Sequence, residues 1–382
     1  MTDAKTSPRA GFYPIIPAGG SGKRLWPLSR ANYPKFMRAL GAPGSSLLRA
    51  TLTRLRPLAP EENTYVVTSG VLAPLISREL PELPAGNILV EPAPRESGPA
   101  IALAAAVIAT IDPEAVMGSF AADHVVRHPE RFCAAVETAI KGAEDGNLMT
   151  VGITPTRPET GYGYIRRGSA IGDTGMFRVE EFVEKPKYEL AKEYVDSGEY
   201  LWNASFFVWR VQVFLEELQK REPEFHDNLQ IIAAAWWSDE REEVLARVWP
   251  NLPKIAIEYL LMEPAARDGM VATVPGDFGW SDVGDYHALG EIQGGDENGN
   301  VIIEVDAARE ADRYRSASDV RMSDSKNLVV VSDGSRLVTA IGVEDLVIVD
   351  TSDVLLVCDR SRAQDVKKMV DELEKAGAAE YI

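Results

Sequence analysis

The stretch Phe12-Tyr13-Pro14-Ile15-Ile16-Pro17-Ala18-Gly19-Gly20-Ser21-Gly22-Lys23-Arg24-Leu25-Trp26-Pro27-Leu28-Ser29-Arg30, with Pro34-Lys35 soon after, carries the reading of this chain. Phe12–Ile16 is a short apolar run and predicts a strand. The glycines at 19, 20 and 22 that follow let a backbone pass close to a phosphate and aim its N–H groups there. Arg24 can fork two phosphate oxygens, and Lys35 adds a compact charge. The bland alternative is a solvated glycine turn with scattered positive charge.

On the carboxyl-terminal side the pattern repeats as strand and helix. Strands are expected at Thr64–Thr68, Asn87–Val90, Ala115–Ala121 and Leu148–Ile153. Helices are expected at Ser45–Leu58, Val71–Leu80, Gly98–Ile111 and Pro129–Glu144. Repeated β-α units of this length predict an α/β fold, Rossmann-like, with a mostly parallel sheet and helices on both faces. Gly161–Pro186 then reads as a hairpin, Trp202–Trp209 as a strand, Val211–Arg247 as helix broken near Pro223 and Ser238, and Met270–Val274 as a strand. A Gly, Asp and Asn-rich segment, Gly294–Asn300, suggests a boundary. Residues 1–295 form the expected main α/β domain, and 296–382 a small C-terminal β-rich module with a terminal helix at Gln364–Ala376. A short left-handed β-helix is one form that module could take.

The chain has 382 residues, 40 Lys plus Arg and 58 Asp plus Glu, a formal net charge of −18. Such a surface repels nucleic-acid backbones and anionic membranes, so neither is expected as a partner. A polyanionic small ligand must meet a local basic patch, and Lys23, Arg24, Arg30, Lys35 and Arg38 cluster to supply one. Cys133 and Cys358 give no disulfide framework, and His124 and His128 have no third ligand candidate nearby. Met1–Ala10 has no apolar signal core, and no run is long enough to span a bilayer. A soluble, cytoplasmic protein is expected. Trp202, Trp209, Trp236, Trp237 and Trp249 read as core rather than ligand platforms.

Two familiar phosphate loops fail. Walker A would need glycine at 17 and Ser or Thr at 24, where Pro17 and Arg24 stand. A G-x-G-x-x-G fingerprint starting at Gly20 would need glycine at 25, which is Leu25. The loop with Pro34-Lys35 instead resembles the signature of sugar-phosphate nucleotidyltransferases. Its Leu25–Arg30 form is similar to that of bacterial mannose-1-phosphate guanylyltransferases, the GDP-mannose pyrophosphorylases. The resemblance continues in order through Glu91-Pro92, Phe120–His124, Gly161–Ile165, Phe182–Pro186, Trp202-Asn203, Trp280–Asp282, Asn327–Val329 and Gly342–Thr351. Departures are Lys23 for a usual Thr, Phe36 for a usual Gln, Arg95–Pro99 for Arg-Asn-Thr-Ala-Pro, and Asn203-Ala204-Ser205 for Asn-Ser-Gly.

The resemblance implies transfer of GMP from GTP to α-D-mannose 1-phosphate, giving GDP-mannose and pyrophosphate. It implies Arg24, Lys35 and Lys185 as catalytic cations. Nucleotide contacts would come from Ala18, Gly19, Gly20, Gly22, Lys23, Arg24, Glu91, Glu96, Ser97 and Asp123. Sugar-phosphate contacts would come from Gly163, Glu184, Lys185 and Asn203. Mg²⁺ would be held by Asp123 and Asp282, both beyond strand ends, where open α/β sheets bind ligands. Each also has a plain structural role: an N-cap or turn aspartate, or an exposed Glu184–Lys185 ion pair. Glu96 offers two acceptor oxygens that match the N1–H and N2 amine of guanine; alternatively it complements the dipole of the helix it precedes. Other bases or sugars, and a non-catalytic regulator that binds nucleotide sugars, stay open, as does a homodimer. No histidine follows His287, so the histidine-rich isomerase centre that some relatives carry is not expected.

Overall fold

Apolar runs bounded by Pro, Gly and Asn become strands. In chain order these are β1 (Phe12–Ala18), β2 (Tyr65–Ser69), β3 (Ile88–Glu91), β4 (Val116–Ser119), the two-residue β5 (Val125–Val126), β6 (Leu148–Ile153), β7 (Gly163–Ala170), β8 (Phe177–Val183), β9 (Tyr200–Arg210) and β10 (Val271–Gly276). The two-residue β11 (Trp280–Ser281) follows, then β12 (Val301–Glu304), β13 (Val320–Ser323), β14 (Val329–Ser332), β15 (Val338–Ile341), β16 (Leu346–Asp350) and β17 (Leu355–Asp359). This computed structural model describes residues 11–20, 22–41, 44–305, 320–334 and 336–382. The polar stretch Met1–Ala10 and Ser21 lie outside the described residues.

The chain forms two compact units that interleave along the sequence. The first takes residues up to Gly19, then Thr51–Ala122 and Arg127–Trp280; the second takes Gly20–Ala50, Asp123–Val126 and Ser281–Ile382. The units therefore divide differently from the sequence boundary at 295/296.

The first unit holds a nine-stranded sheet in the order β3-β2-β1-β4-β9-β6-β10-β8-β7. β3, β2, β1 and β4 run parallel, as do β6 and β10. β9 runs antiparallel to β4 and β6, and β7–β8 is the expected hairpin. The helix Ser97–Ala109 is Ala-rich, a strong helix former, with Pro99 in its first turn, where no helical N–H is required. It is apolar all round and buried from Gly98 to Ile108. It shares one core with Ile15, Val67, Leu89, Met117, Phe207 and Trp209. Neighbouring strand residues face opposite ways, so Phe206 looks to the other side of the sheet. There it meets Phe132 of the helix Pro129–Glu144, with ring centroids 5.5 Å apart, and Phe278 lies 5.4 Å from Phe132. Helices thus cover both faces. Trp202, Trp209, Trp236 and Trp249 are buried as expected. Trp237 is not: it is 57% exposed and donates to Thr110 Oγ1 at 2.9 Å.

In the second unit, β12, β14 and β16 stack in parallel register, Val301 beside Val329 beside Val347. β13 and β15 stack likewise. These are rungs of a parallel β-helix, and β17 closes it antiparallel to β16. The sequence reading does not reach β12 and β13. Val301, Ile303, Val329, Val331, Val347 and Val349 form an apolar wall that must be covered. Leu25, Leu28, Leu40 and Leu47 pack against it, which is why the glycine loop folds with the C-terminal module.

Candidate active site

The glycine loop owes its shape to Gly20 (φ 82°) and Gly22 (φ 68°), in the left-handed region that side chains resist. A Cβ on Gly22 would lie 2.7 Å from Lys35 Cβ, so glycine is required twice over there. Leu25 N–H (2.9 Å) and Ser29 Oγ (2.6 Å) both donate to the Gly22 carbonyl and close the loop. Gly19 has open space where a Cβ would go. Ala18 is buried, and its carbonyl accepts from Thr68 Oγ1 at 2.8 Å.

Within the second unit a cavity of about 430 Å³ is lined by Gly22, Lys23 and Arg24 of the loop, and by Lys35, Asp123, His124, Asp282, Gly284 and Lys367. Lys35 is buried, with its Nζ 2.6 Å from Asp123 Oδ2, and also donates to the Asp282 carbonyl. Burial pushes the Asp123 carboxyl up. The charges of Lys35 and His124, with the Lys35 hydrogen bond, outweigh that and hold it below the ordinary carboxylate range. His124 Nε2 lies 3.9 Å from Asp123 Oδ1. The Asp282 carboxylate accepts from Gly284 N–H at 3.1 Å. Arg24 is exposed at the cavity wall.

The expected basic patch is split. Lys23 Nζ pairs with Glu374 at 2.6 Å and Asp371 at 3.1 Å. Arg30 pairs with Asp353 at 2.8 Å, and the Arg38 guanidinium sits 4.2 Å over the Tyr33 ring. Arg30 and Arg38 line another cavity, not the one at the glycine loop.

The sugar-side candidates lie in the first unit. Gly163 pairs in register with Asn203 across β7 and β9. A Cβ on Gly163 would come within 2.6 Å of Glu184 Oε2, so only glycine leaves that carboxylate its place. Lys185, at φ 47°, folds back to pair with Glu184. Asn203 is buried and held at both ends. Its Oδ1 accepts from Ser205 N–H at 3.1 Å, and its Nδ2 donates to Glu258 Oε1 at 3.3 Å. Ser205 Oγ also donates to Glu258, at 2.5 Å. Glu258, which sequence reasoning missed, opens a π-helical turn, Glu258–Met262. Such turns are rare and often sit at functional sites.

The base-side candidates differ in setting. Glu91 ends β3, buried, with Oε2 free of hydrogen bonds among the described residues; burial pushes it up to about 7. Glu96 is exposed at φ 64°, before the helix Ser97–Ala109, and its side chain makes no capping bond. Ser97 Oγ accepts from Ile257 N–H at 3.0 Å and so has a structural partner.

The second unit thus gathers a glycine loop, two lysines of its neighbourhood and two aspartates around one cavity. The chain belongs to the nucleotidyl transferase family, which matches residues 13–299, and a MannoseP isomerase/GMP-like beta-helix domain matches residues 320–373. It is 40% identical to mannose-1-phosphate guanylyltransferase of Escherichia coli (strain K12), over 97% of this chain and 75% of that one. It is 39% identical to the Klebsiella pneumoniae enzyme of the same name, over 96% of this chain and 75% of the relative. A crystal structure described as mannose-1-phosphate geranyltransferase from Thermus thermophilus superposes with a TM-score of 0.81 at 34% identity, covering 96% of this chain and all of that one.

Proposed function

We propose that the protein transfers GMP from GTP to α-D-mannose 1-phosphate, releasing GDP-mannose and pyrophosphate. The observation that carries this is Lys35, buried between Asp123 and the Asp282 carbonyl on the wall of the glycine-loop cavity. A sugar 1-phosphate has a second pKa of about 6, so its oxygen is already a nucleophile at neutral pH. It attacks the α-phosphorus in line, and pyrophosphate leaves. No general base is needed. The protein must align two polyanions and offset their repulsion. In this reading the backbone at Ala18, Gly19, Gly20 and Gly22 cradles phosphate oxygens. Lys23 lines the same cavity, and Arg24 and Lys35 bind the charge that moves to the leaving group. Lys185 meets the sugar phosphate, while Gly163, Glu184 and Asn203 meet the sugar. Glu91, Glu96 and Ser97 lie on the base side.

The donor set suits Mg²⁺, which takes one or two carboxylates and fills the rest of its shell with phosphate oxygens and water. Asp123 and Asp282 are the two carboxylates on this cavity. Among the described residues no cluster of three or more His, Cys, Asp or Glu could form an all-protein cage. When bound, the ion supplies neutralising charge shared between phosphates. Asp123, held ionised by Lys35, stays ready to ligate it.

Residues 1–295 are retained as the transferase stretch and 296–382 as the β-rich module, a division that the family matches at 13–299 and 320–373 support. Cytoplasmic residence and a homodimer belong to the same reading. No described helix is long and apolar enough to cross a membrane. The deciding experiment is a panel of nucleoside triphosphates against sugar 1-phosphates, read by pyrophosphate release. GTP with mannose 1-phosphate should give the highest kcat/KM; a clear preference for another pair would replace this assignment.

A further inference from the structure

Four cations line the glycine-loop cavity: Lys23, Arg24, Lys35 and Lys367. Two are already matched by the chain itself. Lys35 already bonds Asp123 and the Asp282 carbonyl before it meets any phosphate, and Lys23 pairs with Asp371 and Glu374. Among the described residues, a nucleotide polyphosphate entering this cavity meets Arg24 and Lys367 as the cations not so engaged. Lys367 comes from the helix Val366–Ala376, at the far end of the sequence from the loop.

The helix is built to hold that position. Lys367, Asp371 and Glu374 are spaced i, i+4 and i+7 and share one face. The two acids grip Lys23 at 3.1 Å and 2.6 Å. The neighbouring apolar stripe, Val366, Val370 and Leu373, packs on Trp26 of the loop. Trp26 Nε1 in turn donates to the Tyr381 carbonyl, just beyond the helix. The helix is thereby fastened to the loop at Lys23 and at Trp26, on either side of Arg24. Lys368, the next residue, pairs instead with Asp365 at 2.7 Å and is not on the cavity wall.

We propose that the C-terminal helix is part of the nucleotide site, with Lys367 binding the polyphosphate of the donor and the pyrophosphate that leaves. The Asp371–Lys23–Glu374 latch positions Lys367 over the loop. The proposal rests on the functional reading above for its ligand class, a nucleoside triphosphate, but not for the base or the sugar.

The test is equilibrium binding of GTP and of inorganic pyrophosphate, each with Mg²⁺, to the full chain, alongside turnover. Lys367→Ala should weaken both by about tenfold, the loss expected for one charge-assisted hydrogen bond, and Lys367→Arg should restore most of it. Lys368→Ala removes the same charge one residue away and should leave both within about twofold. The KM for mannose 1-phosphate should stay unchanged in all three. Wild-type-like pyrophosphate binding by Lys367→Ala would overturn the proposal, as would an equal loss in Lys368→Ala. If the wild type binds pyrophosphate but turns over a different sugar or base, the functional reading fails while the Lys367 comparison still decides this one.

Discussion

Lys35 Nζ lies 2.6 Å from Asp123 Oδ2, a close pair between residues 88 positions apart, with the lysine buried and the aspartate at the rim of the cavity. In the proposed reaction the pair brings together a cation for phosphate charge and a carboxylate for a divalent ion. If Lys35 stabilises charge that grows as pyrophosphate departs, Lys35→Ala should lower kcat by about 10²-fold or more with a smaller change in KM. Steady-state kinetics on a variant shown to be folded by circular dichroism checks this. Near-normal turnover would take Lys35 out of the chemistry.

If Asp123 and Asp282 hold the ion as proposed, Asp123→Asn and Asp282→Asn should each raise the Mg²⁺ concentration needed for half-maximal rate by about tenfold or more. A magnesium titration of initial rates measures it. Full activity of the wild type in excess chelator would remove the metal from the scheme.

Glu258 accepts from both Asn203 Nδ2 and Ser205 Oγ, so its truncation strands two donors and frees the Asn203 amide to turn. Glu258→Ala should raise the KM for mannose 1-phosphate by about tenfold and leave the KM for GTP unchanged, while Glu258→Gln, which keeps an acceptor oxygen, should be milder. An equal rise in both constants would point to general loosening rather than to the sugar side.

Glu96 tests the base. Its two carboxylate oxygens match the donors at N1 and N2 of guanine, and ITP lacks the N2 amine. Glu96→Gln should therefore cost more kcat/KM with GTP than with ITP. Equal losses would return Glu96 to the helix-terminus role, in which its charge complements the dipole of the helix Ser97–Ala109.

Glu91 predicts a pH dependence of stability. Burial raises its folded-state pKa to about 7 from an ordinary 4.5. The native state therefore binds this proton more tightly than the unfolded chain. The stabilisation is complete below about pH 4.5, falls as pH rises to about 7, and is level above that. Glu91→Gln removes the ionisation, so at pH 8 the variant should be the more stable by on the order of 2 kcal/mol, with the gap closing toward pH 5. Thermal unfolding midpoints of both proteins across that range measure it. A gap that does not change with pH would mean the carboxyl is ionised at no cost.

Much of the secondary structure was legible from local pattern. Pro129–Glu144 and Leu148–Ile153 form over the very residues expected, because the first is a periodic run and the second a continuous apolar one, each with a clear stop. The glycine loop was legible for a related reason. Gly20 and Gly22 take positive φ, which few other residues tolerate, so composition there reports conformation directly. Lys35, Asp123 and Asp282 were named from motif likeness and do line one cavity.

Partners distant in sequence were another matter. β12 and β13 were not expected from the sequence, and each is held by a parallel neighbour, β14 and β15. Glu258 gains its meaning only from Asn203 and Ser205, more than fifty positions earlier. The five basic residues near the loop looked alike in sequence, yet carboxylates at 353, 371 and 374 and the Tyr33 ring draw three of them aside. Periodicity along a chain states which side of an element is apolar or charged. Which other element meets that side depends on how Leu25, Leu28, Leu40 and Leu47 find Val301, Val329 and Val347, and with them the helix that carries Lys367. Hydrophobic burial is non-directional, so that choice is made only once the units close around their cores.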